Sequence, residues 1–209
     1  VSDDIRDDLE TMELNTNRLL DLVNQLLDFR KTETQGFQLN FVECDVSELL
    51  QKTYKRFKPL ARERGLALSI ETPESLYASV DREGLTKIIS NLLTNAIKYS
   101  ETYIHIRLYS EGERLLLSVC NDGLVIPVEM REEIFKPFIQ YKTGALRSVP
   151  GTGIGLALAR SLVELHEGTL CMEDSMENNC FLLSLPLKHE QTVAMEHKEP
   201  VTGGESSEE

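Results

Sequence analysis

The run "NLLTNAIKYS", residues 91–100, holds the first side chains suited to chemistry. Asn91 and Asn95 are four apart and Lys98 lies three further on, so on a helix they share one stripe. A carboxamide oxygen is a hard ligand of the kind Mg²⁺ takes, and lysine is a point charge suited to phosphate. Taken alone, the run also fits a solvated polar face. A second group is "GTGIGL", Gly151 to Leu156, which opens a helical pattern. Glycines let backbone approach a polyphosphate, and a helix start offers free N–H groups. Two familiar phosphate-loop patterns fail here. No βαβ unit surrounds the glycines, and no Gly-Lys-Ser/Thr follows them. A third group, "CNDGLVIP" (Cys120–Pro127), has the form of a ligand-binding turn after a strand.

These groups need elements to position them. Residues 5–29 read as one long helix, with Ile5, Leu9, Met12, Thr16, Leu19, Val23 and Leu26 spaced as a heptad seam. Leu20, Leu22, Leu27 and Phe29 widen the stripe, which favours a bundle of partner helices over packing on its own domain. After Gln35-Gly36, the alternation of Phe37, Leu39 and Phe41 predicts a strand. Asp45 and Glu48 then form a capping-box-like start to a helix ending at Gly65, with Pro59 predicting a kink or an irregular last turn. "LALSIET" and "YASV" read as strands. Asp81 caps a helix whose inward set is Leu85, Ile88, Leu92 and Ala96. The pairs "YIHIRLYS"/"RLLLSVC" and "TLCMED"/"CFLLSLPL" read as hairpins on either side of the glycine-rich helix. The expected organisation is a helical arm (1–34), an α+β domain (37–188) forming a two-layer sandwich, and a disordered tail or linker (189–209).

Composition narrows the classes. A hydrophobic content of 41% is enough for a real core. The net charge of −13 resides mostly at the ends, where six carboxylates face Arg6 in residues 1–13 and six face Lys198 in residues 189–209. The middle is therefore nearly balanced, and no basic patch with interleaved aromatics points to nucleic acid. No apolar run approaches a membrane span, so no membrane contact is expected of these residues. Cys44, Cys120, Cys171 and Cys180 make no C-x-x-C pair and read as reduced, partly buried thiols.

In order, the asparagine-rich helix, the G-x-x-I-P turn, "IFKPF" and "GTGIGLALARSLVELHEGTL" resemble the ATP-binding catalytic domain of bacterial sensor histidine kinases. That family sits in a superfamily with gyrase-type and chaperone ATPases. The resemblance covers nearly all of 37–188, and "RLLDLVNQLLDFRKTE" resembles the second helix of the kinases' dimerisation and phosphotransfer hairpin. The wording of "LLDFRKTETQGFQLNF" is especially similar to hybrid two-component sensors of Bacteroides-type gut bacteria. The resemblance implies ATP and Mg²⁺ as cofactors. It makes Asn95 the Mg²⁺ ligand with Asn91 assisting, puts Lys98 on phosphate and has Tyr99 flank the nucleotide. It makes Phe135 and Phe138 an aromatic box packed beside a mobile lid at 139–150, with Lys142 and Arg147 as further phosphate contacts. It makes Gly151, Gly153, Gly155 and Leu156 the phosphate loop.

The same resemblance implies transfer of the γ-phosphoryl group to a histidine, homodimerisation through the hairpin, and a response-regulator receiver domain as partner. It implies the cytoplasmic portion of an inner-membrane-anchored sensor. Gyrase-like relatives carry a glutamate where this chain has Asn91, and an amide cannot act as that general base. None of His105, His166, His189 and His197 has the setting of the family's phospho-accepting histidine. His166 reads as structural, and the accepting helix is expected outside these residues. Two alternatives stay open. One is a degenerate pseudokinase scaffold that dimerises without using nucleotide. The other, which the helical arm argues against, is a serine-directed kinase of the anti-sigma-factor type.

Gly123, Ile126 and Pro127 fix the register of "CNDGLVIP" on the family's D-x-G-x-G-I turn. Asn121 then stands at the adenine-reading aspartate, and Val125 stands at the second glycine. Asp122 is one residue late and cannot substitute, because neighbours on an extended segment point to opposite faces. The substitution removes charge from the acceptor, which implies about tenfold weaker ATP binding.

Overall fold

The computed structural model describes residues 3–33, 38–140, 151–174 and 177–189. Lys142, Arg147, most of the expected lid and nearly all of the expected tail lie outside them. Helix α1 (Asp3–Glu33) is followed by strand β1 (Phe41–Asp45), helix α2 (Val46–Glu63) and strands β2 (Ala67–Glu71) and β3 (Tyr77–Asp81). Helix α3 (Arg82–Tyr99), strands β4 (Tyr103–Glu111) and β5 (Arg114–Asn121) and two short 3₁₀ turns come next. Helix α4 (Gly155–Leu165) and strands β6 (Thr169–Met172) and β7 (Asn179–Pro186) are the last elements among the described residues. The main sheet has the order β2-β4-β5-β7-β6, with β2 and β4 parallel and the other pairs antiparallel. Helices α2, α3 and α4 lie side by side over one face of it. This is the two-layer α+β sandwich expected from the sequence.

The helix starts follow the capping logic. The Asp45 side chain accepts from the N–H groups of Ser47 and Glu48, and Asp81 accepts from Gly84. These two carboxylates stand at the ends of β1 and β3, which form a separate antiparallel pair. Strand β1 begins at Phe41, later than the Phe37–Phe41 alternation suggests, because its partner strand starts only opposite Asp45 and ends opposite Phe41. Helix α2 carries through Pro59 to Glu63, and Gly65 then takes φ +71°. Leu85, Ile88, Ile89, Leu92 and Leu93 of α3 are fully buried, each worth about 1.5–3 kcal/mol relative to exposure.

Strand alternation puts two asparagines in an otherwise apolar surface. Leu115, Leu117, Val119 and Asn121 of β5 all turn toward the helices, as do Asn179, Phe181, Leu183 and Leu185 of β7. Asn121 and Asn179 are register partners, so the inner face of the sheet ends in a side-by-side amide pair. One residue along, on the opposite face, Cys120 and Cys180 are also partners and are joined by a disulfide. This corrects the expectation of four reduced thiols. Only Cys44 and Cys171 are free, and the bridged pair is 60 residues apart in sequence.

Among the described residues, helix α1 meets the domain through its C-terminal part. Phe29 is buried, Asp28 pairs with Lys87 of α3 at 2.8 Å, and Gln25 reaches the glycine loop. The seam residues Ile5, Leu9, Met12, Leu19, Val23 and Leu26 are all exposed. Among the described residues no helix is long and apolar enough to cross a membrane.

Candidate nucleotide site

Asn91, Asn95 and Lys98 all fall on the side of α3 that is not fully buried, while Leu92, Leu93, Ala96 and Ile97 fill the core. Two of the three meet the glycine loop. A Cβ on Gly155 would lie 3.3 Å from Asn91 Oδ1, and one on Gly151 would collide with Lys98 Nζ. Here the glycines serve close approach between a helix stripe and a loop. Gly153 serves differently. It has φ +71°, and a Cβ there would stand 2.8–3.0 Å from the Phe138 and Ile139 backbone. Lys98 Nζ also lies 4.6 Å over the Tyr99 ring, a cation–π contact that holds the ammonium beside the loop.

The next residue of α3 holds the other motif. A Cβ on Gly123 would overlap the Tyr99 carbonyl. Gly123 is not among the glycines with positive φ, so its requirement is space. Val125 likewise takes no positive φ, and the turn therefore differs locally from a form that needs glycine there. Asn179 clasps this turn: its Oδ1 accepts from Ile126 N–H, and its Nδ2 donates to the carbonyls of Gly123 and Leu124. No sequence signal marks Asn179. Its role depends on its pairing with Asn121, which only the strand register reveals.

Asp122 turns away from Asn121, as alternation requires. Its carboxylate accepts from the backbone N–H groups of Glu101, Thr102 and Tyr103 and from the Thr102 hydroxyl. Burial alone would raise this carboxyl, but the hydrogen bonds from Thr102, Tyr103 and Glu101 outweigh it and hold it at about 2. Asn121 itself is 2% exposed, and its Nδ2 has no hydrogen-bond partner among the described residues. Such an orphaned buried donor is uncommon and fits an edge that a ligand completes.

Phe135 and Phe138 do not form one packed box. Phe135 is buried edge-on to Phe181 with the Arg160 guanidinium over its ring, whereas Phe138 is 64% exposed. Phe138 takes φ +67° and donates its N–H to the Gly153 carbonyl, so its backbone braces the glycine loop while its ring points out. Thr152 links that loop to the arm: its hydroxyl donates to Gln25 Oε1 and accepts from Ile154 N–H. Leu156 is half-buried against the core. His166 is fully buried; Nε2 accepts from Asp81 N–H, and Nδ1–H donates to the Leu162 carbonyl. Burial lowers its pKa, so it is a neutral structural residue.

The fit to a nucleoside triphosphate with Mg²⁺ rests on these observations. One end offers an ammonium, carboxamide oxygens and bare backbone; the other offers a buried amide with a spare donor. Residues 80–189 match the family model described as histidine kinase-, DNA gyrase B-, and HSP90-like ATPase. The sensor histidine kinase TmoS of Ectopseudomonas mendocina is 35% identical over 85% of this chain and 19% of its own length. The sensor histidine kinase WalK of Bacillus subtilis is 30% identical over 84% of this chain and 30% of its own length. The chain thus spans less than a third of either relative. The nucleotide-free catalytic domain of histidine kinase ThkA superposes with TM-score 0.64 at 28% identity, covering 72% of this chain and 97% of that domain. Full-length ShkA in complex with AMPPNP shares the fold, with TM-score 0.75 at 23% identity over 87% of this chain and 38% of ShkA.

Proposed function

The chain belongs to the histidine kinase-, DNA gyrase B- and HSP90-like ATPase family, and from that premise we propose that it binds Mg²⁺-ATP and transfers the γ-phosphoryl group to a histidine. The observation that carries this reading is the shared anchor on α3. Neighbouring residues Lys98 and Tyr99 touch the glycine loop and the base-reading turn, two motifs separated by most of thirty residues of chain. One helix end thereby fixes the distance between a phosphate end and a base end.

In this reading Asn95 ligates Mg²⁺ with Asn91 beside it, and Lys98 balances phosphate charge. Gly151, Gly153, Gly155 and Leu156 open α4 toward the phosphates. Bound Mg²⁺ would supply Lewis-acid polarisation of the phosphates. Asn121 and the turn through Gly123 and Ile126 read the base, Tyr99 flanks it, and Phe135 and Phe138 brace the segment entering residues 139–150. Lys142 and Arg147 reach the phosphates from that segment. An amide at Asn91 cannot take a proton from water, which favours phosphoryl transfer over hydrolysis.

Residues 37–188 are the catalytic unit, 189–209 a linker or tail, and 1–34 one helix of a dimerising hairpin. The exposed seam of α1 supports a bundle partner for that helix. The accepting histidine lies on a helix outside these 209 residues, and a receiver domain takes the phosphoryl group from it. The kinases among the relatives support this over a degenerate scaffold. The working protein is then the cytoplasmic portion of an inner-membrane-anchored sensor.

Titration of the chain with ATP, with and without Mg²⁺, tests the core of the reading. Saturable, Mg²⁺-dependent binding is expected, and its absence at millimolar nucleotide would sink it. A longer chain that includes the upstream helix should then accumulate acid-labile phosphate.

A further inference from the structure

We infer that the base-reading edge takes 6-oxopurine nucleotides, those of hypoxanthine and guanine, alongside adenine nucleotides; the inference rests on the nucleotide-site reading above. A carboxylate at the base edge only accepts hydrogen bonds. It favours the 6-amino group of adenine and repels the O6 of a 6-oxopurine. Among the described residues, the carboxylate next to Asn121 in sequence, Asp122, does not play that part. Asp122 faces away and is spent on the 101–103 backbone and Thr102. Asn121 occupies the inward position instead, at the end of the apolar series Leu115, Leu117 and Val119.

A carboxamide carries one acceptor and one donor head, and turning its terminal torsion exchanges them. With adenine, Oδ1 accepts from the 6-amino group and Nδ2 donates to N1. With a 6-oxopurine, Nδ2 donates to O6 and Oδ1 accepts from N1–H. Both arrangements satisfy the buried Nδ2, which has no partner among the described residues to fix its orientation. The neighbouring amide does not compete for the base. Asn179 commits Oδ1 to Ile126 and Nδ2 to Gly123 and Leu124. Asn121 is therefore a two-way reader on a rigid turn, and discrimination at the purine 6-position is lost.

The test is calorimetric titration of the chain with the Mg²⁺ salts of ATP and ITP, which differ at the 6-position and not in the phosphates. The expected result is dissociation constants within about threefold of each other, since one hydrogen-bond pair replaces another of similar strength. Asn121→Asp should restore selection, tightening ATP about tenfold and weakening ITP at least as much. Asn121→Ala, which has no polar head, should weaken both nucleotides equally and serves if the buried aspartate does not fold. A preference of wild type for ATP of about tenfold or more overturns the inference while leaving the ATP reading intact. Binding of neither triphosphate overturns both.

Discussion

At the proposed phosphate end, Gly151 and Gly155 press bare backbone against Lys98 and Asn91, one the tip of a long swinging side chain, the other an amide. At the proposed base end, Gly123 presses against a carbonyl of α3, and the turn behind it is held by three hydrogen bonds to a buried asparagine. The first end can lose a side chain and keep its shape, since its geometry comes from backbone and helix packing. The second has its shape written into side chains, so a change there alters the fold before it alters the ligand. The contrast suggests where variation is cheap. Base reading can be re-specified by one head group, such as Asn121, only while Asn179 and Gly123 stay fixed.

Asn179→Ala should separate the two ends most sharply. It strands Ile126 N–H and two carbonyls, and should cost about 2–4 kcal/mol of stability. Denaturant unfolding would read this, while Mg²⁺-pyrophosphate binding at the other end should survive in the folded fraction. A loss below about 0.5 kcal/mol would break the contrast. Gly123→Ala follows, at about 1–3 kcal/mol, because its Cβ meets backbone that cannot yield. Gly151→Ala should leave the melting temperature nearly unchanged, since the Lys98 tip can swing aside. Equal destabilisation by the two alanines would erase the distinction.

Lys98→Ala should weaken ATP binding about tenfold while leaving adenosine binding unchanged, as expected for a lost charge-assisted contact to phosphate. Isothermal titration with both ligands checks this. A pH-dependent effect belongs to Asp122, whose carboxyl is held at about 2 against an ordinary 3.8. Its stabilisation is full above the unfolded value and is lost as pH falls from about 4 through 2. After solvent screening it should be on the order of 1 kcal/mol. Asp122→Asn should flatten that acid limb. His166 acts in a higher window: burial keeps it neutral when folded, so stability should begin to fall below its ordinary 6.5, where the unfolded chain takes up a proton.

The parts readable in the sequence were those set by neighbours along the chain. Asn91, Asn95 and Lys98 share a helix stripe by spacing alone, Asp45 and Asp81 announce helix starts, and Gly65 announces a stop. Alternation also sufficed to turn Asp122 away from Asn121. What escaped depends on pairings made across the sheet. Asn179 meets Asn121, and Cys120 meets Cys180, only once β5 and β7 are in register. Phe138 escaped for another reason: its positive φ serves the Gly153 carbonyl, a backbone demand that its apolar side chain conceals. The early start predicted for the first strand failed because alternation records a tendency and a strand also needs a partner.

The bridge between Cys120 and Cys180 makes a covalent ring of the intervening segment. That ring carries Asn121, the turn after it, the glycine loop, α4, β6 and Asn179, and it closes at the very next residue. Both ends of the site except α3 are thus threaded on one closed tether, even when the chain is unfolded. For a ring of this length, the loss of chain entropy in the unfolded state is worth about 4 kcal/mol. A reductant that never touches the nucleotide pocket would therefore loosen its base and phosphate ends together, through the number of shapes the denatured chain can explore.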